Sequence, residues 1–196
     1  MRLGILGYII IILIIIIVAK IYLDSDMHNL KCIISNVDGN TYCVRDRAKL
    51  TLAADKLASV TQNMNKVFAY CKEKYALNSN VKRLINGYNP KKICETLPTS
   101  KYTAYSENKG AKLAFCLDKE RHKEELIDLN TLTYVALHEM AHICTASIGH
   151  TDEFWQNFKF LIEQAKTIGV YEPVDYKKNP EPYCGMTISD NPYYDL

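Results

Sequence analysis

Two histidines and a glutamate form the motif His138-Glu139-Met140-Ala141-His142, which matches the pattern H-E-x-x-H. Histidines four residues apart project from the same face of a helix, so both imidazoles can bind one metal ion. A catalytic zinc ion keeps one coordination position for water, and the neighbouring glutamate can accept a proton from that water. The motif therefore predicts a zinc site with His138 and His142 as ligands and Glu139 as the general base.

A catalytic zinc ion needs a third protein ligand, and His150 is our candidate. It follows Gly149, where the chain turns out of the predicted helix, and a second helix begins directly after it. Asp152 and Glu153 are rival ligands, although the helix dipole also favours acids in a first turn. The alternative to a metal site is a pair of core histidines that bond to the backbone.

The motif lies in a strongly apolar segment over 132–146, which predicts a helix capped by Asp128 or Asn130. Further helices are predicted over 50–76 and 151–168, because apolar residues recur there at spacings of three and four. One β-hairpin is predicted to turn at Asp38-Gly39 and another at residues 107–110. The pattern indicates an α+β fold in which the helices carry the chemistry.

The N-terminal segment concentrates apolar residues: the run over 3–19 is unbroken, and residues 21–23 extend it past Lys20. About 20 helical residues span a hydrocarbon core of about 30 Å, so we predict a transmembrane anchor over 1–23 and a linker over 24–30. A cleaved signal peptide, which the length of the run disfavours, and a buried core helix are the alternatives. We expect a single-pass membrane protein, with the domain outside (type II) preferred.

Composition narrows the class of the remaining domain, over residues 31–196. With 48% hydrophobic residues the chain can form a packed core, and a formal net charge of +2 predicts no nucleic-acid partner. Seven cysteines without a C-x-x-C pair favour a disulfide framework with one thiol left over, and buried free thiols are the alternative.

The H-E-x-x-H motif, the later His150 and the aromatic pair Phe154-Trp155 resemble the WLM and SprT-like zinc metallopeptidases. The gap between His142 and His150 is more similar to that of WLM proteins than to the longer gap usual in SprT proteins. Segments 44–47, 96–105 and 183–188 look like short membrane-anchored WLM-type proteins encoded by large DNA viruses. The resemblance implies a zincin-like fold, with the motif helix packed on a small mixed sheet, and a place in a host or virion membrane.

The resemblance also implies that extended substrate pairs with an edge strand beside the metal, a role that falls to part of 111–117. The best-known family members cut proteins crosslinked to DNA. This chain lacks their basic tails, so that substrate is not carried over. Tyr171, Tyr176 and Tyr183 are candidates for stabilising an oxyanion, although most of the 14 tyrosines are expected to serve packing.

Together these features predict a membrane-anchored zinc metallopeptidase that cleaves a protein or peptide substrate. Zn²⁺ is expected on His138, His142 and His150, with Glu139 activating the zinc-bound water. One alternative is a non-enzymatic, zinc-stabilised viral membrane or structural protein, which would be expected to close its site with a fourth protein ligand. Another is a disulfide-built ectodomain that binds a partner and no metal.

Overall fold

The computed structural model describes residues 4–24, 30–120 and 125–195, and the side chains of all of these except 21–24. Five α-helices are described: α1 (Ile5–Asp24), α2 (Leu50–Tyr75), α3 (Ser79–Gly87), α4 (Leu129–Cys144) and α5 (Asp152–Thr167). A short 3-10 helix follows at Pro192–Tyr194. The described strands are β1 (Leu30–Ile34), β2 (Thr41–Arg45), β3 (Ile93–Glu95), β4 (Ala104–Glu107), β5 (Lys112–Phe115), β6 (Glu181–Tyr183) and β7 (Met186–Ile188). This content confirms the predicted α+β class.

The larger sheet has five strands in the order β1-β2-β3-β5-β4, and it is mixed, as predicted. β2, β3 and β5 run parallel to one another, whereas β1 and β4 pair antiparallel at the two edges. Helix α4 packs on the β4–β5 side of this sheet and against α2, α3 and α5. The edge strand expected within 111–117 was assigned wrongly, because β5 pairs on both sides and β4 is the edge.

The prediction of a transmembrane anchor over 1–23 fails in the described structure. Within the described residues, no helix has both the length and the apolar character that crossing a membrane requires. The anchor and the single-pass, type II localisation are therefore wrong, and most of the linker over 24–30 lies outside the described residues.

The predicted helices over 50–76, 132–146 and 151–168 correspond to α2, α4 and α5. Asp128, one of the two proposed caps, begins α4, because its side chain accepts a hydrogen bond from the backbone N–H of Thr131 at 2.8 Å. Both predicted hairpins are present, as β1–β2 and β4–β5. Helix α3 and strand β3 were not predicted. Asn78 caps α3, because its side chain accepts hydrogen bonds from the backbone N–H groups of Asn80 and Val81.

The seven cysteines form two disulfides and leave three free thiols, at Cys71, Cys94 and Cys144. Cys32–Cys43 joins β1 to β2. Cys116–Cys184 joins the end of β5 to the turn between β6 and β7. Four of the six cysteines expected to pair therefore do so, and three thiols stay free where one was expected. The second bridge holds the C-terminal hairpin beside the sheet.

Two arginines and two acids form a buried ion cluster where β2, β3 and β5 end. Arg45 and Arg47 each pair with both Glu95 and Asp118. Glu95 is 1% exposed, and its other oxygen accepts the backbone N–H of Arg45 at 2.7 Å. Burial raises the pKa of Glu95, and the charges of Arg47 and Arg45 oppose that shift. The stability of the cluster thus depends on the match between its two positive and its two negative charges.

Replacing Glu95 with Gln leaves two buried guanidinium groups facing Asp118 alone. Breaking a buried pair in this way costs about 3–5 kcal/mol, so we expect the free energy of unfolding in urea to fall by that amount. Lys31→Ala is the control, because it removes an exposed ion pair with Asp46 and should cost less than about 1 kcal/mol. Equal losses for the two variants would contradict a stabilising role for the buried cluster.

Candidate metal centre

Helix α4 presents the two histidines of the motif side by side. The helix is buried along most of its length, while His138 and His142 are half-buried, with their rings 4.9 Å apart. Their Nε2 atoms are 3.2 Å apart, as expected for residues one helical turn apart that point to the same place. The predicted pair therefore faces a common point.

His150 joins this pair from the connector between α4 and α5, residues 145–151. Its Nε2 lies 3.0 Å from Nε2 of His138, and the ligand atoms of all three histidines lie within 4.8 Å of one another. Among the described residues these three form the one group of metal-binding side chains found. The structure thus brings together the three predicted ligands.

The three imidazoles fit a zinc ion. Two nitrogens at about 2.0–2.1 Å from a tetrahedral zinc lie about 3.3 Å apart, close to the observed 3.0 and 3.2 Å. Burial, helped by the neighbouring histidines, lowers the pKa of His138 to about 3. Burial, then His150 and Lys109, lowers the pKa of His142 to about 4. Both rings are neutral at pH 7, which is the form that binds metal.

The aromatic pair at the start of α5 packs beneath the three imidazoles. The ring of Phe154 is fully buried, and its centroid lies 4.4–4.8 Å from the ring centroids of His138, His142 and His150. Trp155 lies 5.7 Å from the His150 ring. Because these contacts restrict the rotamers of the histidines, α5 preorganises the metal ligands that α4 and the connector supply.

Glu139 is buried next to the first ligand. It is 5% exposed and lines a cleft of about 1350 Å³, together with His138, His142 and His150. Burial raises the pKa of Glu139 to about 8. A carboxyl group with a pKa near neutrality can both accept and release a proton, so Glu139 suits general acid–base chemistry.

The rival ligand Glu153 has a different task. Its carboxylate accepts backbone N–H groups of Ala146 and Ser147 in the connector, at 3.2 and 3.4 Å. It also pairs with Arg83 at 2.7 Å. Asp152 lies exposed in the first turn of α5, outside the group of metal-binding side chains. Neither acid therefore belongs to the ligand set, and Glu153 belongs to the frame of the site.

Of the three tyrosines considered as oxyanion stabilisers, Tyr183 alone lines the cleft. Its hydroxyl donates to the backbone oxygen of Thr103 at 3.1 Å. Burial, followed by the charge of Glu139, raises the pKa of Tyr183 above its ordinary value. Tyr171 and Tyr176 are buried and pack around Tyr134.

Strand β4 lies at an edge of the sheet, and its residues form one wall of the cleft. The backbone oxygen of Thr103 accepts the N–H of Cys116 at 2.7 Å, and bonded pairs alternate along an antiparallel ladder. This register leaves the N–H and C=O groups of Ala104 and Ser106 pointing away from β5. Sequence reasoning missed this edge, because it placed the edge one strand too far along the chain.

We expect one zinc ion per purified full-length chain by elemental mass spectrometry, and loss of that zinc in His142→Ala, which removes one of three ligands. Asp152→Asn is the matched control, because it neutralises a rival ligand that lies outside the histidine group, and it should retain zinc. Zinc lost from Asp152→Asn, or retained in full by His142→Ala, would contradict the ligand set.

Comparison with known proteins finds similar proteins in viruses. No family model matches, and no solved structure matches. The chain is 30% identical to "Uncharacterized protein R325" of Acanthamoeba polyphaga mimivirus over 175 residues, 87% of this chain and 83% of that protein. It is 38% identical over 68 residues to "Uncharacterized protein 136R" of Invertebrate iridescent virus 6, covering 34% of this chain and 36% of that protein. The chain belongs to the same protein family as the mimivirus protein R325.

Proposed function

We propose that this protein is a zinc metallopeptidase that hydrolyses peptide bonds. The observation that carries the proposal is the convergence of three imidazoles beside the buried carboxyl group of Glu139 in one cleft. A structural zinc site closes with four protein ligands, whereas catalytic sites use three and keep a position for water. The three-histidine group favours hydrolysis over a purely structural zinc protein for this reason.

In the proposed reaction the zinc ion is held by His138, His142 and His150, and when bound it supplies an acidified water and polarises the scissile carbonyl. Glu139 accepts the proton of the attacking water and passes it to the leaving amine nitrogen. Its burial keeps solvent from competing for that proton. Phe154 holds the imidazoles in place while the proton moves.

The free edge of β4 supports an extended polypeptide as the substrate. The outward backbone groups of Ala104 and Ser106 can pair with a substrate strand laid along the cleft. Such pairing recognises the backbone, so it favours unfolded or loop segments over a defined sequence. Apolar side chains along the cleft, among them Val135, Ile188 and Met186, can hold substrate side chains.

Replacing Glu139 with Gln keeps the size of the side chain and removes the base. We expect kcat/KM on extended fluorogenic peptides to fall by about 10²–10⁴-fold, while the zinc content stays at one per chain. Glu163→Gln, on the exposed face of α5, is the matched control and should keep wild-type activity. Full activity in a zinc-loaded Glu139→Gln protein would refute the proposed base.

Replacing Ser106 with Pro removes one outward N–H group and leaves the bonds between β4 and β5 intact, because edge strands tolerate proline on their free side. Losing one such hydrogen bond predicts a fall of about 3–10-fold in kcat/KM, with unchanged zinc content. Ser106→Ala is the control, because it keeps the N–H and removes a hydroxyl that has no hydrogen-bond partner. Equal activity of the two variants would argue against substrate pairing at β4.

A further inference from the structure

The connector between α4 and α5 carries His150. Backbone carbonyl groups at the end of α4 and in the connector accept hydrogen bonds from a single ammonium group. The last carbonyl groups of a helix lack partners within the helix. Nζ of Lys109 donates to three carbonyl oxygens there, those of His142 at 3.1 Å, Thr145 at 2.8 Å and Ser147 at 2.8 Å. A lysine ammonium has three N–H donors, so all of its donors serve this one segment.

The turn between β4 and β5 holds Lys109 in place. Asn108, Lys109 and Gly110 all have positive φ, and Gly110 packs against Gly87 at the end of α3. A Cβ atom on Gly87 would lie 2.4 Å from the backbone oxygen of Lys109, and one on Gly110 would lie 2.5 Å from the backbone oxygen of Gly87. The two backbones therefore touch. This contact fixes the position of the Lys109 backbone, from which the side chain extends.

The opposite side of the connector is held by an anion. Glu153 accepts the N–H groups of Ala146 and Ser147, and it pairs with Arg83. Arg83 in turn donates to the backbone oxygen of Cys144 at 2.6 Å. Between His142 and His150, backbone carbonyl groups thus accept hydrogen bonds from the cation Lys109, and backbone N–H groups donate to the anion Glu153. Lys109 is the group that ties it to the β4–β5 hairpin.

We propose that Lys109 is a positioning residue for the metal centre. By fixing the backbone of the connector it keeps His150 within ligand distance of His138, and it couples the metal ligands to strand β4. His138 and His142 are held by α4 itself, so loss of Lys109 acts mainly on the third ligand. The inference rests on the proposed zinc site and adds to it the residue that assembles the site.

The test is the zinc affinity of full-length Lys109→Met, measured by competition with a chromophoric chelator. Methionine keeps much of the apolar stem and removes all three N–H donors. Without those hydrogen bonds the connector is no longer held before the metal binds, so part of the binding free energy is lost in ordering it. We expect at least about tenfold weaker zinc binding, the scale seen when outer partners of metal ligands are removed. Lys112→Met is the matched control, because its ammonium lies over Tyr105 in the same hairpin, and it should bind zinc like the wild type.

The absorption spectrum of bound Co²⁺ adds a readout that a general loss of stability would not change. With saturating Co²⁺, Lys109→Met should show a d–d spectrum altered toward that of His150→Ala, since the same ligand is displaced. Lys109→Arg is a second variant in case the methionine variant does not fold. Its planar fork cannot direct three donors to one cluster, so we expect zinc binding at least about threefold weaker than wild type.

The outcomes separate this inference from the proposed function. A wild-type protein that binds no zinc overturns both. A wild-type protein that binds zinc, with wild-type affinity and cobalt spectrum in folded Lys109→Met, overturns the role of Lys109 alone. If only Lys109→Arg folds, wild-type affinity in that variant overturns the role as well. Weaker binding with an altered spectrum supports it.

Discussion

The packing of three imidazoles against Phe154 is the contact on which the rest of the site depends. The nitrogen lone pairs of the three imidazoles converge on one point only when the rings are held in place. The buried ring of Phe154 contacts all three imidazole rings. The same burial keeps His138 and His142 unprotonated at neutral pH, because it lowers their pKa values. Ligand geometry and ligand protonation state therefore have one physical cause, the docking of α5 on α4.

The sheet contributes the other half of the cleft, and it is tied to the histidine side at one place and to the C-terminal hairpin at another. Lys109 joins the β4–β5 turn to the connector that carries His150. On the far side, the Cys116–Cys184 bridge brings Tyr183 over the cleft, where its hydroxyl bonds to the backbone just before β4. The strand edge proposed to bind substrate is thus fixed relative to the histidines by an ammonium group, and the disulfide holds the C-terminal hairpin beside that edge.

The sequence predicted those features of the fold that depend on a few neighbouring residues. The spacing of His138 and His142 and the cap at Asp128 are properties of a few adjacent residues, and the helices form where expected. The edge of the sheet could not be predicted this way, because β3 has three residues and enters by parallel pairing with distant strands. Glu153 remained a candidate metal ligand in the sequence analysis, because its pairing with Arg83 joins residues 70 positions apart in the chain. The predicted anchor followed from the apolar run alone.

The most direct test of the account is X-ray absorption at the zinc edge of the loaded full-length protein. It predicts a first shell of three imidazole nitrogens at about 2.0–2.1 Å and one oxygen from water, with no sulfur. A fourth protein ligand, or a sulfur at about 2.3 Å, would show a closed structural site and contradict the proposal that this centre activates water.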